Sequence, residues 1–130
     1  MPATETAEET VRSYYDALRE GEPLPPYFAD DEETFKFGIT ERLFGYDAVE
    51  KALREQTDST ENWTVESHDL RVTERDEHAW FADVVRMAWE DTQKGRIYDF
   101  ETRWSGTLEG LEGGGGWVFV GMHVSAEPEV

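Results

Sequence analysis

Two carboxylates and one arginine in this sequence have the types and positions needed for chemistry on a small organic molecule. Glu101 and Arg103 lie two residues apart and therefore on the same face of a predicted strand, and Asp83 lies in the strand before it. An arginine in a mostly apolar pocket could hold a carboxylate or an enolate through two hydrogen bonds. A carboxylate there could remove a proton next to a carbonyl group. The alternative is that Arg103 pairs with Glu101 or Asp83 and only closes the sheet.

Other kinds of site are not indicated. The chain has no cysteine, which excludes a thiolate nucleophile and a cysteine-ligated metal. His68, His78 and His123 do not have the spacing of a metal-binding pair. The glycine run Gly113 to Gly116 lies between two strand patterns and precedes no helix, so it reads as a hairpin loop rather than a phosphate loop. We therefore expect no metal and no cofactor.

The charge of the chain restricts its partners and its surroundings. Its formal net charge is −18, and the acids are scattered along the chain. Such a surface argues against nucleic acids and anionic membranes, which both need clustered basic residues. Abundant acids with few lysines are typical of cytoplasmic proteins in salt-accumulating microbes, because salt screens the repulsion between hydrated carboxylates. An ordinary acidic protein is the alternative. With no signal-peptide pattern at the N-terminus, a cytoplasmic location is expected.

The elements that position these residues begin with an amphipathic helix. Thr6 and Glu9 form a capping-box pair, apolar residues follow at helical spacing, and Gly21 is a suitable stop. The pattern predicts a helix from Ala7 to Glu20. A loop with three prolines follows, then an extended stretch from Thr34 to Gly38.

A second helix is predicted to begin at Asp47, and after Asn62 the periodicity changes to two. The predicted strands are Trp63 to Val72, His78 to Trp89, Ile97 to Leu108, and Trp117 to Ser125. This order predicts one α+β domain over residues 1–130, in which a cone-shaped, curved antiparallel β-sheet packs against N-terminal helices. Residues 1–5 and 126–130 are predicted to be flexible ends.

Several local motifs accompany this order. They are Tyr14-Tyr15-Asp16-Ala17-Leu18-Arg19-Glu20-Gly21, Tyr27-Phe28-Ala29-Asp30-Asp31, Gly45 before the second helix, Glu101-Thr102-Arg103, Trp117, and Met122-His123-Val124-Ser125. With them the chain resembles the SnoaL-like branch of the nuclear transport factor 2 superfamily, and its ending is similar to the calcium/calmodulin-dependent kinase II association domain. The resemblance implies a conical pocket between the concave face of the sheet and the helices, and usually a dimer.

The same resemblance assigns residues to the pocket. The arginine that matches Arg103 lines the pocket of the association domains, which predicts ligand contacts for Arg103, Tyr14, Val120 and Met122. The superfamily includes ketosteroid isomerase, and Tyr14 matches the oxyanion-hole tyrosine of that enzyme. The catalytic candidates are therefore Tyr14, Asp83 and Glu101. The position of the isomerase base falls near Lys36, where no carboxylate stands, and Tyr14 could equally be a core aromatic residue.

The convex face of the sheet is predicted to be the interface of a homodimer. Strand alternation places on it Trp80, Phe100, Trp104, Phe119 and His123. An exposed aromatic surface of this size would favour burial between two copies. Three functions stay open: a domain that binds a small, mostly apolar ligand, an isomerase or cyclase that removes a proton next to a carbonyl, and a non-catalytic oligomerisation module.

Overall fold

Two helices cover one face of a curved, open, seven-stranded sheet in the computed structural model, which describes residues 5–127. The helices are α1 (Ala7–Glu20) and α2 (Tyr46–Ser59). The strands are β1 (Phe35–Phe37), β2 (Arg42–Phe44), β3 (Thr60–Ser67), β4 (Arg71–Glu74), β5 (His78–Asp91), β6 (Arg96–Gly110) and β7 (Trp117–Ala126). The predicted α+β class is confirmed. Most of the two ends predicted to be flexible, residues 1–4 and 128–130, lies outside the described residues. Ala126, which was counted with the second end, is the last residue of β7.

Helix α1 begins and ends where the sequence predicts, because both ends are capped. The Thr6 hydroxyl accepts a hydrogen bond from the Glu9 amide, and the Glu9 carboxylate accepts one from the Thr6 amide. At the other end Gly21 adopts the left-handed conformation, with φ of 69°, and its amide binds carbonyls of the last turn. The apolar side of α1 is fully buried against the sheet. No helix within residues 5–127 is long and apolar enough to cross a membrane.

The sheet has the strand order β2-β1-β7-β6-β5-β3, with β4 paired to the other end of β5. Its strands pair antiparallel except β1 and β7, which are parallel. The predicted strand from Trp63 to Val72 is in fact two strands, β3 and β4. Strand β2 was not predicted; it pairs with β1 through the turn from Gly38 to Glu41, whose ends are joined by a backbone hydrogen bond of 3.0 Å.

The inner face of the sheet, which packs against the helices, is confirmed for β5 and reversed for β6. In β5 the buried residues include Asp83, as the alternation predicts. In β6 the buried residues are Thr102, Trp104 and Leu108. The prediction that Arg103 and Glu101 face the concave side is therefore wrong, since both are exposed on the outer face.

Strand β7 changes face along its length because it contains one extra residue. Leu108 pairs with Phe119 and Thr107 pairs with Gly121, so Val120 is left unpaired in a bulge. Phe119 is buried before the bulge, and Met122 and Val124 are buried after it. A strict alternation of two cannot reproduce this strand.

The aromatic outer surface predicted from the alternation is not present. Trp104 and Phe119 are core residues, 4% and 0% exposed. Phe100 also lies on the inner face, opposite Met87. Only Trp80, which is 47% exposed, and His123 lie exposed as predicted. The predicted set of interface residues is thus wrong for three of its five members, and a homodimer stays a prediction.

Candidate functional site

A cavity of about 140 Å³ lies between α1, the β1–β2 turn and the inner face of the sheet. Its floor and walls are formed by long strands whose inward side chains converge under α1. Ile39 and Thr40 of the turn line it and are exposed, so the cavity opens to solvent beside this turn. The cavity lies where the resemblance implies a conical pocket, and its volume is much smaller than a drug-sized ligand requires.

Three tryptophan rings line the cavity. The Trp63 and Trp89 rings lie nearly parallel with centroids 4.8 Å apart, and Tyr98 continues the stack at 5.2 Å from Trp89. Trp104 closes the inner end, where its indole N–H donates to the Thr102 hydroxyl at 3.0 Å. The stacked rings occupy space that smaller side chains would leave open. The cavity is therefore narrow, and its wall is suited to a flat apolar group.

One polar corner interrupts the apolar wall. Lys36 is the central residue of β1, and its side chain turns inward to line the cavity with only 8% of it exposed. Its ammonium group forms an ion pair with Glu41, whose side chain is 32% exposed. A buried ammonium group is costly unless it is paired, and Glu41 supplies the partner. The cavity therefore contains one cation and one anion, next to each other at its mouth.

Tyr14 places a hydroxyl group in the same cavity. Its ring is 2% exposed and packs edge-on against Trp104 and Phe119. No described residue forms a hydrogen bond with the Tyr14 hydroxyl. Every fully buried side-chain oxygen among the described residues has a hydrogen-bond partner, so this hydroxyl is not fully buried and reaches the open space of the cavity. Burial, and next the charge of Glu41, raises the pKa of Tyr14. The group is thus a neutral hydrogen-bond donor at physiological pH.

The other predicted ligand contacts lie elsewhere. Arg103 borders a shallow depression on the outer face, together with Ser105 and His123. Met122 is fully buried in the core and Val120 is half-buried in the bulge, and neither lines the cavity. Of the four residues, only Tyr14 is in the cavity wall.

The two predicted carboxylate bases are also outside the cavity. Glu101 is exposed on the outer face, 3.8 Å from the imidazole of His68. Asp83 is buried, and it accepts hydrogen bonds from the Tyr15 hydroxyl at 2.9 Å, the Ser67 hydroxyl at 2.6 Å and the Asp69 amide at 2.9 Å. Through these three hydrogen bonds, Asp83 connects α1 to the end of β3.

Sequence reasoning missed Lys36 and Glu41 as members of the site. A lysine between two phenylalanines in a three-residue strand reads as a surface residue, and the turn that brings Glu41 back to it was not predicted. One clue to this site was present in the sequence, since the resemblance places the base of ketosteroid isomerase near Lys36. Five residues later, Glu41 places a carboxylate beside Lys36.

No other part of residues 5–127 offers a comparable set of groups. The described residues contain no group of three or more histidine and acidic side chains that could hold a metal ion. Larger depressions, of about 530 and 560 Å³, border the glycine-rich loop between β6 and β7, but their walls are mainly exposed loop residues and they contain no buried charged side chain.

The chain has the fold of nuclear transport factor 2-like proteins. The family model of the SnoaL-like domain matches residues 7–128, and the chain belongs to this family. No curated protein sequence matches the chain.

Solved structures share the fold at low sequence identity. A candidate dehydratase of the NTF2-like family from Streptomyces avermitilis has a TM-score of 0.82 at 13% identity, covering 97% of this chain and 96% of its own. A candidate calcium/calmodulin-dependent protein kinase II association domain from Xanthomonas campestris has a TM-score of 0.75 at 22% identity, covering 100% and 94%. A ketosteroid isomerase-like protein from Erwinia carotovora atroseptica has a TM-score of 0.75 at 13% identity, covering 94% of each chain. Identities this low show the fold alone.

Proposed function

We propose that this SnoaL-like domain binds a small, mostly apolar molecule in the cavity under α1, with an acidic or carbonyl oxygen of the ligand facing Lys36 and Tyr14. The observation that carries the proposal is the position of Lys36. An almost fully buried ammonium group lines a cavity whose wall also includes three tryptophan rings. A core that needed only packing would be more stable with an apolar residue there, because burying a charge pair costs as much as it returns.

The chemistry of the corner fits an oxygen-bearing ligand. Lys36 supplies a positive charge, and the Tyr14 hydroxyl supplies a neutral donor that makes no hydrogen bond to the residues that the structure describes. The side chains of Trp63, Trp89 and Met87 present an apolar surface to the rest of the ligand. Binding would place a polar oxygen against the two donors and would remove apolar surface from water on the remaining side.

Tryptophan fluorescence can test this binding directly, since Trp63, Trp89 and Trp104 all line the cavity. The protein is titrated with benzoate and with the neutral compounds benzamide and acetophenone, at one fixed KCl concentration. We expect saturable quenching. Lys36→Met should weaken benzoate binding by at least about tenfold, since a charge-assisted hydrogen bond contributes about 1.5–3 kcal/mol.

The matched control is Lys51→Met, because Lys51 is exposed on α2 and loses the same charge without touching the cavity. Tyr14→Phe should weaken the neutral compounds by removing their donor. Absence of saturable quenching by all three compounds, or equal affinities in Lys36→Met and the control, would contradict the proposal.

A second candidate function is removal of a proton next to a carbonyl group. The observation that favours it is the presence of one carboxylate, Glu41, within the same cavity as the Tyr14 hydroxyl and Lys36. Glu41 would accept the proton, while Tyr14 or Lys36 would stabilise the enolate oxygen. This assignment replaces Asp83, which is held by three donors, and Glu101, which lies on the outer face.

Deuterium exchange distinguishes catalysis from binding. NMR can follow the loss of the methyl protons of acetophenone in D₂O with catalytic amounts of protein. A faster exchange than in buffer, abolished in Glu41→Gln and kept in Glu33→Gln, would support the enzyme. Equal rates with and without protein would leave the binding function alone.

A further inference from the structure

We propose that Glu41 occupies the ligand's place at Lys36, so that the β1–β2 turn is a lid that a single-ring carboxylate must displace. The inference rests on the proposed binding function and adds the class of ligand and the mode of entry. It starts from an asymmetry in the ion pair. Lys36 is fixed in the middle of a strand and is 8% exposed, whereas Glu41 reaches it from an exposed turn and is 32% exposed.

The turn is shaped to bring this carboxylate back into the cavity. Gly38 begins the turn, and a Cβ atom at this position would lie 2.7 Å from Cγ and 2.8 Å from Oε1 of Glu41. The Glu41 side chain therefore lies folded against the Gly38 backbone, and only glycine leaves room for it. The turn presents a carboxylate to a buried ammonium group, as a bound acid would.

Charge balance requires that Glu41 leave Lys36 when a carboxylate ligand enters the cavity. With Glu41 in place, Lys36 is neutralised, and a second carboxylate in this aromatic cavity would be a buried charge without a partner. If the ligand replaces Glu41, the cavity stays neutral and Glu41 moves into water at the exposed turn. A neutral ligand has no such requirement and can enter with the ion pair intact.

The size of the cavity limits the ligand to about one ring. Its volume is about 140 Å³, and an apolar cavity of about 150 Å³ holds one benzene molecule. The rings of Trp63, Trp89 and Trp104 line this space, and each of them is packed against a neighbouring ring. A fused system of several rings would need these side chains to move. The geometry points to a flat monocyclic carboxylate, its ring against the tryptophans and its acid group at Lys36.

Two variants release the lid in different ways. Glu41→Gln removes the competing charge and keeps the shape of the side chain. Gly38→Ala keeps the charge but pushes the Glu41 side chain away from its folded position. We expect both to bind benzoate about tenfold more tightly than the unaltered chain. Glu33→Gln is the matched control, because Glu33 is an exposed acid just before β1.

The outcomes separate the lid from the binding function. If benzamide binds but Glu41→Gln gains no more affinity for benzoate than Glu33→Gln, the lid is refuted and the binding function survives. If 2-naphthoate binds as tightly as benzoate, the single-ring limit is refuted. If no compound binds in any variant, both proposals fail. Circular dichroism and thermal melting confirm that each variant is folded, and a misfolded Gly38→Ala leaves Glu41→Gln to decide.

Discussion

Asp83 gives the sharpest test of how this domain holds together. Its carboxylate accepts three hydrogen bonds, from the Tyr15 hydroxyl, the Ser67 hydroxyl and the Asp69 amide. We expect Asp83→Ala to lower the free energy of unfolding by about 3–4 kcal/mol. The buried Tyr15 hydroxyl would lose its partner at a cost of about 1–3 kcal/mol. Ser67 and Asp69 are nearer to water, which can replace part of their two bonds.

A double-mutant cycle isolates the most buried of the three bonds. Tyr15→Phe alone should cost about 1–2 kcal/mol, and in the Asp83→Ala background it should cost much less, because its partner is already gone. The pKa of Tyr15 is raised, first by burial and next by the charge of Asp83, so its hydroxyl stays a donor at neutral pH.

Chemical unfolding in molar KCl, followed by tryptophan fluorescence, measures these energies. Asp76→Ala is the control, since Asp76 is an exposed acid in the β4–β5 turn and its removal changes the net charge equally. A loss below about 1 kcal/mol for Asp83→Ala, or additive effects of the two changes, would refute the view that Asp83 joins α1 to the sheet.

Four further outcomes are expected. Gly21→Ala should cost about 1 kcal/mol by chemical unfolding, because the φ of 69° strains any residue with a side chain, and no loss would contradict the left-handed cap. The hydrogen bond from the Thr6 amide lowers the pKa of Glu9 from its ordinary 4.5. The stabilisation that ionised Glu9 gives to the fold is therefore present above pH 4.5 and is lost as the pH falls through the lower pKa of the folded state. The difference in melting temperature between the unaltered chain and Glu9→Gln should vanish in acid. The net charge of −18 should make the melting temperature higher in molar than in millimolar KCl, and an unchanged value would remove the idea of salt adaptation. Light scattering in molar KCl should find the predicted homodimer, whereas a monomer at micromolar concentration would contradict it.

The parts of the fold that local chemistry determines could be predicted from the sequence. The capping box and Gly21 bound α1, and the long alternations show β5, β6 and β7. Strand β2 could not be found, because three residues after a short turn carry no periodicity, and its pairing depends on β1 being held by the distant β7.

The buried face of a strand could be predicted only where its apolar residues alternate regularly and the prediction used that alternation alone. In β6 the apolar residues Phe100, Trp104 and Leu108 share one face, and burial of that face turns Arg103 outward. The assignment of Arg103 to the pocket followed a likeness to other proteins instead. In β7 the bulge at Val120 breaks the alternation, and nothing in the sequence marks it.

The cavity depended on contacts that no local pattern contains. Lys36 is ordinary in sequence, and its role arises because the inward side of β1 meets α1 and the tryptophans of β3 and β5. Tyr14 was identified from the resemblance, and the structure places it in the cavity wall. Burial of a charge is a property of the assembled layers, and short-range periodicity cannot show it.

The parallel pairing of β1 with β7 fixes the order in which the cavity can be completed. Phe35 to Phe37 lie beside Gly121 to His123, so β1, which carries Lys36, joins the rest of the sheet only after most of the chain has been made. Contacts between such distant segments form late, because closing a long loop costs entropy before any pairing returns energy. During synthesis on the ribosome, the helices and β3 to β6 can associate while Lys36 has only the short strand β2 beside it. The mouth of the cavity is therefore among the last parts of the molecule to be assembled, and a nascent chain without β7 would have an incomplete cavity.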